Sequence, residues 1–195
     1  MVFELFGNLR IAPGQQPQAI ADNLFQALLP DYPQIFLQRA HWDGEGNWLL
    51  ELPESASADD REAFKQVYKG EISDRFFPHH AQAILQLRRQ KQLVLVDVGG
   101  RVQPEKLTLL EACSHYLVIA SDPDGVAAWH EFCGDRGNLQ PVAVIHISSP
   151  EKMSETTQKR ESYLQITLAP EWFHTEQRSL PVDLLKAVRS LFPSP

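Results

Sequence analysis

Cysteine is scarce in this chain, long apolar runs are missing, and lysine is absent from the first 64 residues. Cys113 and Cys133 are the only cysteines in 195 residues, too few for a disulfide framework. Both fall in segments with a helical pattern, where a buried free thiol is the expected state. No run of 18 apolar residues occurs, which excludes a membrane-spanning helix of ordinary length. The opening MVFELFGNLR has neither a basic start nor a long apolar stretch, so no secretory signal is expected and the cytoplasm is the expected location. CxxC, HxxxH and HExxH spacings are all missing, which argues against zinc. His79 and His80 are adjacent, and their side chains diverge on a helix. There is no GxSxG, and neither cysteine has a base close in sequence, which argues against nucleophilic catalysis.

The net charge of −7 is unevenly spread. Residues 1–64 hold three basic groups (Arg10, Arg39 and Arg61) against ten acidic ones, whereas the rest of the chain holds fifteen of each. An acidic face repels phosphates, so a broad nucleic-acid surface is not expected there. The same charge serves equally as a solubilising surface or as a docking face for a protein partner.

Apolar residues make up 43% of the chain, enough for a sizeable core, and the length suits one α/β domain over residues 1–195. Strands are expected at Val2–Phe6 or Leu9–Ala12, and at Ile35–Leu37, Leu93–Val96, Tyr116–Ala120, Val142–Ile147 and Tyr163–Leu168, the last as an added edge strand. The Leu93 and Tyr116 runs are continuous rather than alternating, as in strands of a parallel sheet buried on both faces. Helical spacing joins Ile20, Leu24, Ala27 and Leu28, and likewise Ala81, Ile84, Leu85 and Leu87. Pro104 opens a helix carrying Leu107, Leu110 and Cys113. Asp122 and Pro123 make a cap and first position for a helix with Val126, Trp129 and Cys133 on one side, ended by Gly134 and Gly137. Ser179 caps a last helix with Val182, Leu185 and Val188 on one face. Arg88, Arg89 and Lys91 read as a solvated helix end that complements the dipole. No internal repeat is visible, and the polar stretch 148–160 is the one expected linker or mobile loop.

Two constellations carry chemistry. In LVLVDVGG, Asp97 ends a buried strand, where α/β proteins bind ligands, and Gly99 and Gly100 let a backbone approach closely. A carboxylate there holds the magnesium of a nucleotide, or it simply caps its own turn. In RAHWDGEGNW, Asp43, Glu45 and Asn47 alternate with glycines after a strand. They either line a ligand cleft or form a polar hairpin with DG and GN turns. An EF-hand does not fit, because its later bidentate glutamate and flanking helices are not clear. A phosphate loop needs GxxxxGK and then Ser or Thr after the first strand. Ile11–Ile20, IAPGQQPQAI, has one glycine and no lysine, and the first lysine of the chain is Lys65.

The stretch FLQRAHWDGEGNW, followed by LVLVDVGGRVQPEKLTLLEACSHYLVIAS, WHEFC and PVAVIHI, resembles the P-loop kinase-like domain of bacterial CRISPR-associated ring-nuclease fusion proteins. The likeness covers about Phe36 to Ile147. It implies a P-loop NTPase/kinase-like three-layer sandwich, a mostly parallel sheet with helices on both faces. By this resemblance Asp97 is the magnesium-associated acid, and Asp43 to Asn47 line the acceptor or nucleotide side. The first loop departs from the family pattern. The ring-nuclease domain of those fusions is not recognisable in this sequence.

Three functions follow as expectations. The first is a degenerate kinase-like module that binds a ligand or protein partner, linked by resemblance to CRISPR-associated antiviral defence. The second is an active nucleotide-dependent phosphotransferase or NTPase, using magnesium with its nucleotide and Arg39 or Arg101 as substitute cation. The third is an assembly subunit, with a protein partner or as a homo-oligomer, and with no small-molecule site.

Overall fold

The computed structural model describes residues 2–8, 18–40, 57, 75–99, 102–120, 122–148, 155–169, 172 and 179–191. In chain order the elements are β1 (Val2–Asn8), α1 (Gln18–Leu28), β2 (Ile35–Arg39), α2 (Phe76–Gln90) and β3 (Leu93–Asp97). A 3-10 turn (Pro104–Lys106) then leads into α3 (Leu107–Glu111), followed by β4 (His115–Ala120) and α4 (Pro123–His130). A π-helical segment (Glu131–Arg136) extends α4, and β5 (Gln140–Ile147), β6 (Thr156–Lys159), β7 (Leu164–Leu168) and α5 (Val182–Ser190) complete the chain.

These strands form a seven-stranded sheet in the order β2-β3-β1-β4-β5-β7-β6. All neighbours run parallel except β6 and β7. Aliphatic side chains alternate between the two faces and build two separate cores. Val94, Val96 and Val98, with Tyr116, Val118, Ala120 and Val144, pack against Phe77, Ala81 and Ile84 of α2, Leu109 and Leu110 of α3, and Trp129 of α4. Leu93, Leu95, Leu117, Ile119, Ala143, Ile145, Ile166 and Leu168 face the other way, onto Ile20, Leu24 and Leu28 of α1 and Leu184 and Val188 of α5. Period-two strands between helices on both sides give the three-layer arrangement. The connection β1–α1–β2 steps outward over β3, and the later ones step the opposite way. Right-handed crossovers therefore put α1 on one face and α2, α3 and α4 on the other.

Several expectations change in the folded chain. The Tyr163–Leu168 run is not the edge of the sheet, because β7 pairs parallel with β5 and antiparallel with β6. The edge strand β6 comes from the polar stretch expected to be a linker or mobile loop; its four residues are exposed on both faces, which is why they carry no apolar signal. The third helix ends at Glu111, and Cys113 lies beyond it, still buried and, like Cys133, not in a disulfide. The last helix is preceded by Pro181, with no side-chain cap from Ser179. That start sets its phase so that Leu184 and Val188 are buried, while Val182 is 64% exposed. Arg88 reaches beyond a solvated helix end, since Nη1 donates to the carbonyl of Ala112 at 2.9 Å. The fourth helix is capped as expected, the Asp122 carboxylate accepting from the Gly125 N–H at 2.6 Å. Its π-helical extension closes at Gly137, where a Cβ would stand 2.7 Å from the Cys133 carbonyl, and Asn138 takes the left-handed conformation at φ 54°.

Candidate functional site

The parallel strands end together on one edge of the sheet. β1 leaves this edge toward α1 on one face, while its neighbours β3 and β4 leave toward the other. The crevice opened by such a divergence is the usual ligand position of an open α/β sheet. Asp97 ends β3 beside β1, in register with Leu5. It shares a face with Leu93 and Leu95 by alternation, and so lies on the α1 side.

Asp97 and the residues after it form a tight turn. The carboxylate Oδ1 accepts from the Gly99 N–H at 3.3 Å, and Gly99 has φ 71°, a conformation natural to glycine. The carbonyl of Asp97 accepts from the Ala40 N–H at 2.7 Å, which ties the ends of β2 and β3 together. Capping of its own turn is therefore a real role of Asp97, and it leaves the residue half-exposed at the crevice.

Arg39 lies beside Asp97 in the β2–β3 register. Its guanidinium Nη2 donates to Asp22 Oδ1 on α1 at 2.7 Å, with both side chains nearly half exposed. Two strand spacings separate β2 from β1, about 10 Å, so Arg39 guards the flank of the crevice rather than the mouth of the first loop. The structure thus brings together Asp97, Gly99 and Arg39. Gly100, Arg101, Asp43, Glu45, Asn47 and most of the Ile11–Ile20 loop lie outside the described residues.

Sequence reasoning passed over Lys106. It is 2% exposed, and its Nζ donates to the Val98 carbonyl at 2.7 Å. The ammonium also sits 5.8 Å from the centre of the Trp129 ring. The buried cation thus anchors the turn that carries Asp97. Pro104 just ahead of it was the sole local signal, because a lysine before LTLL reads as an ordinary surface charge.

A second feature that sequence did not reveal lies at the opposite edge. The Tyr116 hydroxyl stands 2.6 Å from His130 Nδ1, and His130 packs its ring against Tyr163. Burial raises the Tyr116 phenol well above its ordinary range and lowers the His130 imidazole. Both are thereby neutral at pH 7, and the tautomer of His130 sets which of the two donates. Burial likewise lowers His115 and His146. All three imidazoles bind protons more weakly folded than unfolded, so stability falls as pH drops below the ordinary histidine value of 6.5. Thermal melts between pH 8 and pH 5 are expected to show a declining midpoint below about 6.5, and His146→Gln should flatten that decline.

A cavity of about 680 Å³ between the β6–β7 hairpin and α5 opens at the amino edge, away from Asp97. A smaller one of about 370 Å³ lies beneath the start of α5. Among the described residues no group of three His, Cys, Asp or Glu side chains is placed to hold a metal ion. No described helix is long and apolar enough to cross a membrane.

A mostly parallel sheet in this order, sandwiched by helices and diverging at β1, defines a P-loop NTPase-like fold. A plasmid partition protein from Borrelia burgdorferi shares it with a TM-score of 0.52 at 9% identity, over 96% of this chain and 98% of that one. Weaker likenesses are to chloroplast FtsY from Physcomitrella patens (TM-score 0.40, 14% identity, 75% of this chain) and to pNOB8 ParA bound to nonspecific DNA (TM-score 0.43, 10% identity, 78% of this chain and 71% of that one). The chain spans about half the length of that FtsY (49%). No protein-family model matches the sequence, and no curated protein matches it.

Proposed function

We propose that this protein is a P-loop NTPase-like module that binds a nucleotide-like ligand or a protein partner at the carboxyl edge of its sheet and has lost efficient phosphoryl transfer. The observation that carries this reading is the loop between β1 and α1. In this fold that loop cradles the outer phosphates, and its lysine neutralises them. Here the segment IAPGQQPQAI has no lysine, and none precedes Lys65. Losing a preorganised group of this kind costs on the order of 2–4 kcal/mol in the transition state, a factor of about 30 to 900 in rate. Among the described residues the nearby cations do not offer a ready replacement. Arg39 is paired with Asp22, and Lys106 is buried on the Val98 carbonyl. What persists is the acid at the end of β3 and the divergence of strands beside it, which suits binding. The sequence likeness to CRISPR-associated kinase-like domains supports a setting in antiviral defence, with a nucleotide or cyclic oligoadenylate as the ligand class.

One observation favours the active alternative. Arg39 and Asp97 are register partners, so a triphosphate that drew Arg39 away from Asp22 would meet a cation beside the acid. The exposed Arg39–Asp22 pair is weak enough to exchange. A magnesium-dependent phosphate-release assay with ATP, GTP and cyclic oligoadenylates separates the two readings. Release no faster than the buffer blank is expected, together with nucleotide binding that weakens in Asp97→Ala. Turnover by the wild type that disappears in both Asp97→Ala and Arg39→Ala would establish the enzyme instead.

A further inference from the structure

The outer edge of β6 has a polarity and a charge order that match a second copy of itself. β6 ends the sheet, and Thr156, Thr157, Gln158 and Lys159 are all exposed. Its hydrogen-bonding phase follows from the hairpin that joins it to β7. The Arg160 N–H donates to the Tyr163 carbonyl at 2.8 Å, which makes Arg160 and Tyr163 a hydrogen-bonded pair. Such pairs alternate along an antiparallel ladder. With Thr156 opposite Thr167 and Gln158 opposite Gln165, residues 156 and 158 spend their backbone groups on β7. The N–H and C=O groups of Thr157 and Lys159 therefore point away from the sheet, as do those of Glu155 if the strand is continued by one residue.

We propose that β6 pairs antiparallel with β6 of a second copy of this chain, joining two seven-stranded sheets into one. The phase restricts the register, since outward-facing residues must oppose outward-facing residues. Centring the two-fold axis on Thr157 satisfies this: Thr157 faces Thr157 of the second copy, Glu155 faces Lys159, and Thr156 faces Gln158. Each arrangement places a β-branched pair at the centre, an opposite-charge pair at either end and a hydrogen-bonding polar pair between them, all favourable across strands. Moving the axis by one residue to Gln158 sets Glu155 against Glu161, a like-charge pair. Self-pairing through a two-fold axis is the commonest route to a soluble homodimer. The contact is short, so the dimer is weak and dependent on concentration. It lies at the far edge of the sheet from β2 and does not rest on the ligand reading given above.

Sedimentation of the full chain over a range of concentrations tests this. The wild type is expected to shift from monomer toward dimer as concentration rises. Thr157→Pro removes an outward N–H without touching the β6–β7 ladder, a position where an edge strand tolerates proline, and should leave only monomer. Lys159→Glu should also weaken the dimer, and combining it with Glu155→Lys should restore it. A wild type that stays monomeric at its highest soluble concentration overturns the proposal, and that includes the case in which this edge accepts an extended peptide from another protein. A dimer that persists unchanged in both Thr157→Pro and Lys159→Glu overturns it too, since the contact then lies elsewhere.

Discussion

Trp129→Ala is expected to lower the unfolding free energy by about 3–5 kcal/mol. Trp129 is fully buried at the centre of the core formed by α2, α3 and α4 against the sheet. Phe132 meets it edge-on with ring centres 5.9 Å apart, and the Lys106 ammonium stands near its face. Removal therefore leaves a large cavity, takes away an aromatic pair and strips the apolar cover from a buried cation. Trp129→Phe keeps most of the volume and should cost clearly less. Denaturant unfolding followed by far-UV circular dichroism measures both variants. A loss below about 1 kcal/mol for the alanine variant, the range of ordinary surface changes, would mean that this core is not packed as described.

The second large effect concerns Lys106. Replacement by alanine should cost about 3 kcal/mol, because it leaves the buried Val98 carbonyl without this donor and opens space under Trp129. Lys106→Met keeps the length of the stem and loses only the ammonium, so its cost should fall to about 1–3 kcal/mol. The two substitutions separate packing from hydrogen bonding. The Met variant also reports on function. The Val98 carbonyl lies between Asp97 and Gly99, so freeing it loosens the turn that aims the carboxylate. Binding that depends on Asp97 should weaken in Lys106→Met even where the protein remains folded. Because Lys106 and Trp129 share a contact, their changes are expected not to add, and a double-mutant cycle would give the coupling directly.

Most of the central sheet was legible because buried parallel strands need uninterrupted aliphatic runs. LVLV and YLVIA have no other comfortable state in water than a strand covered on both faces. The α1 face followed from Ile20, Leu24 and Leu28 at helical spacing, and the α4 cap from Asp122 before Pro123. Elements whose stability comes from pairing rather than from burial were not legible. β6 holds no buried residue, and its identity as a strand depends on the β7 backbone it adds to. The phase of α5 was misread because Val182 is apolar but solvent-facing, while Pro181 and not Ser179 sets where the helix starts.

The candidate site divides in the same way. Asp97 and Gly99 stand at the end of an apolar run, and their place at the carboxyl edge follows from the strand itself. Arg39 was visible as a cation, but its pairing with Asp22, seventeen residues earlier, depends on how α1 lies over β2. Lys106 gave no sign of being buried, since sequence periodicity treats lysine as a surface residue unless a partner is known.

By itself, then, the amino-acid order determined the alternation of strands and helices, the acid that ends the third strand and the missing lysine before the first helix. These are local properties: hydrophobic runs, caps, and the presence or absence of one side chain. Only the tertiary structure decided that β1 sits between β3 and β4, that Lys106 is the buried anchor of the Asp97 turn, and that β6 is an edge strand. Each of these depends on which distant segments meet, and a chain's local pattern does not encode that choice until backbone pairing and side-chain burial are satisfied together.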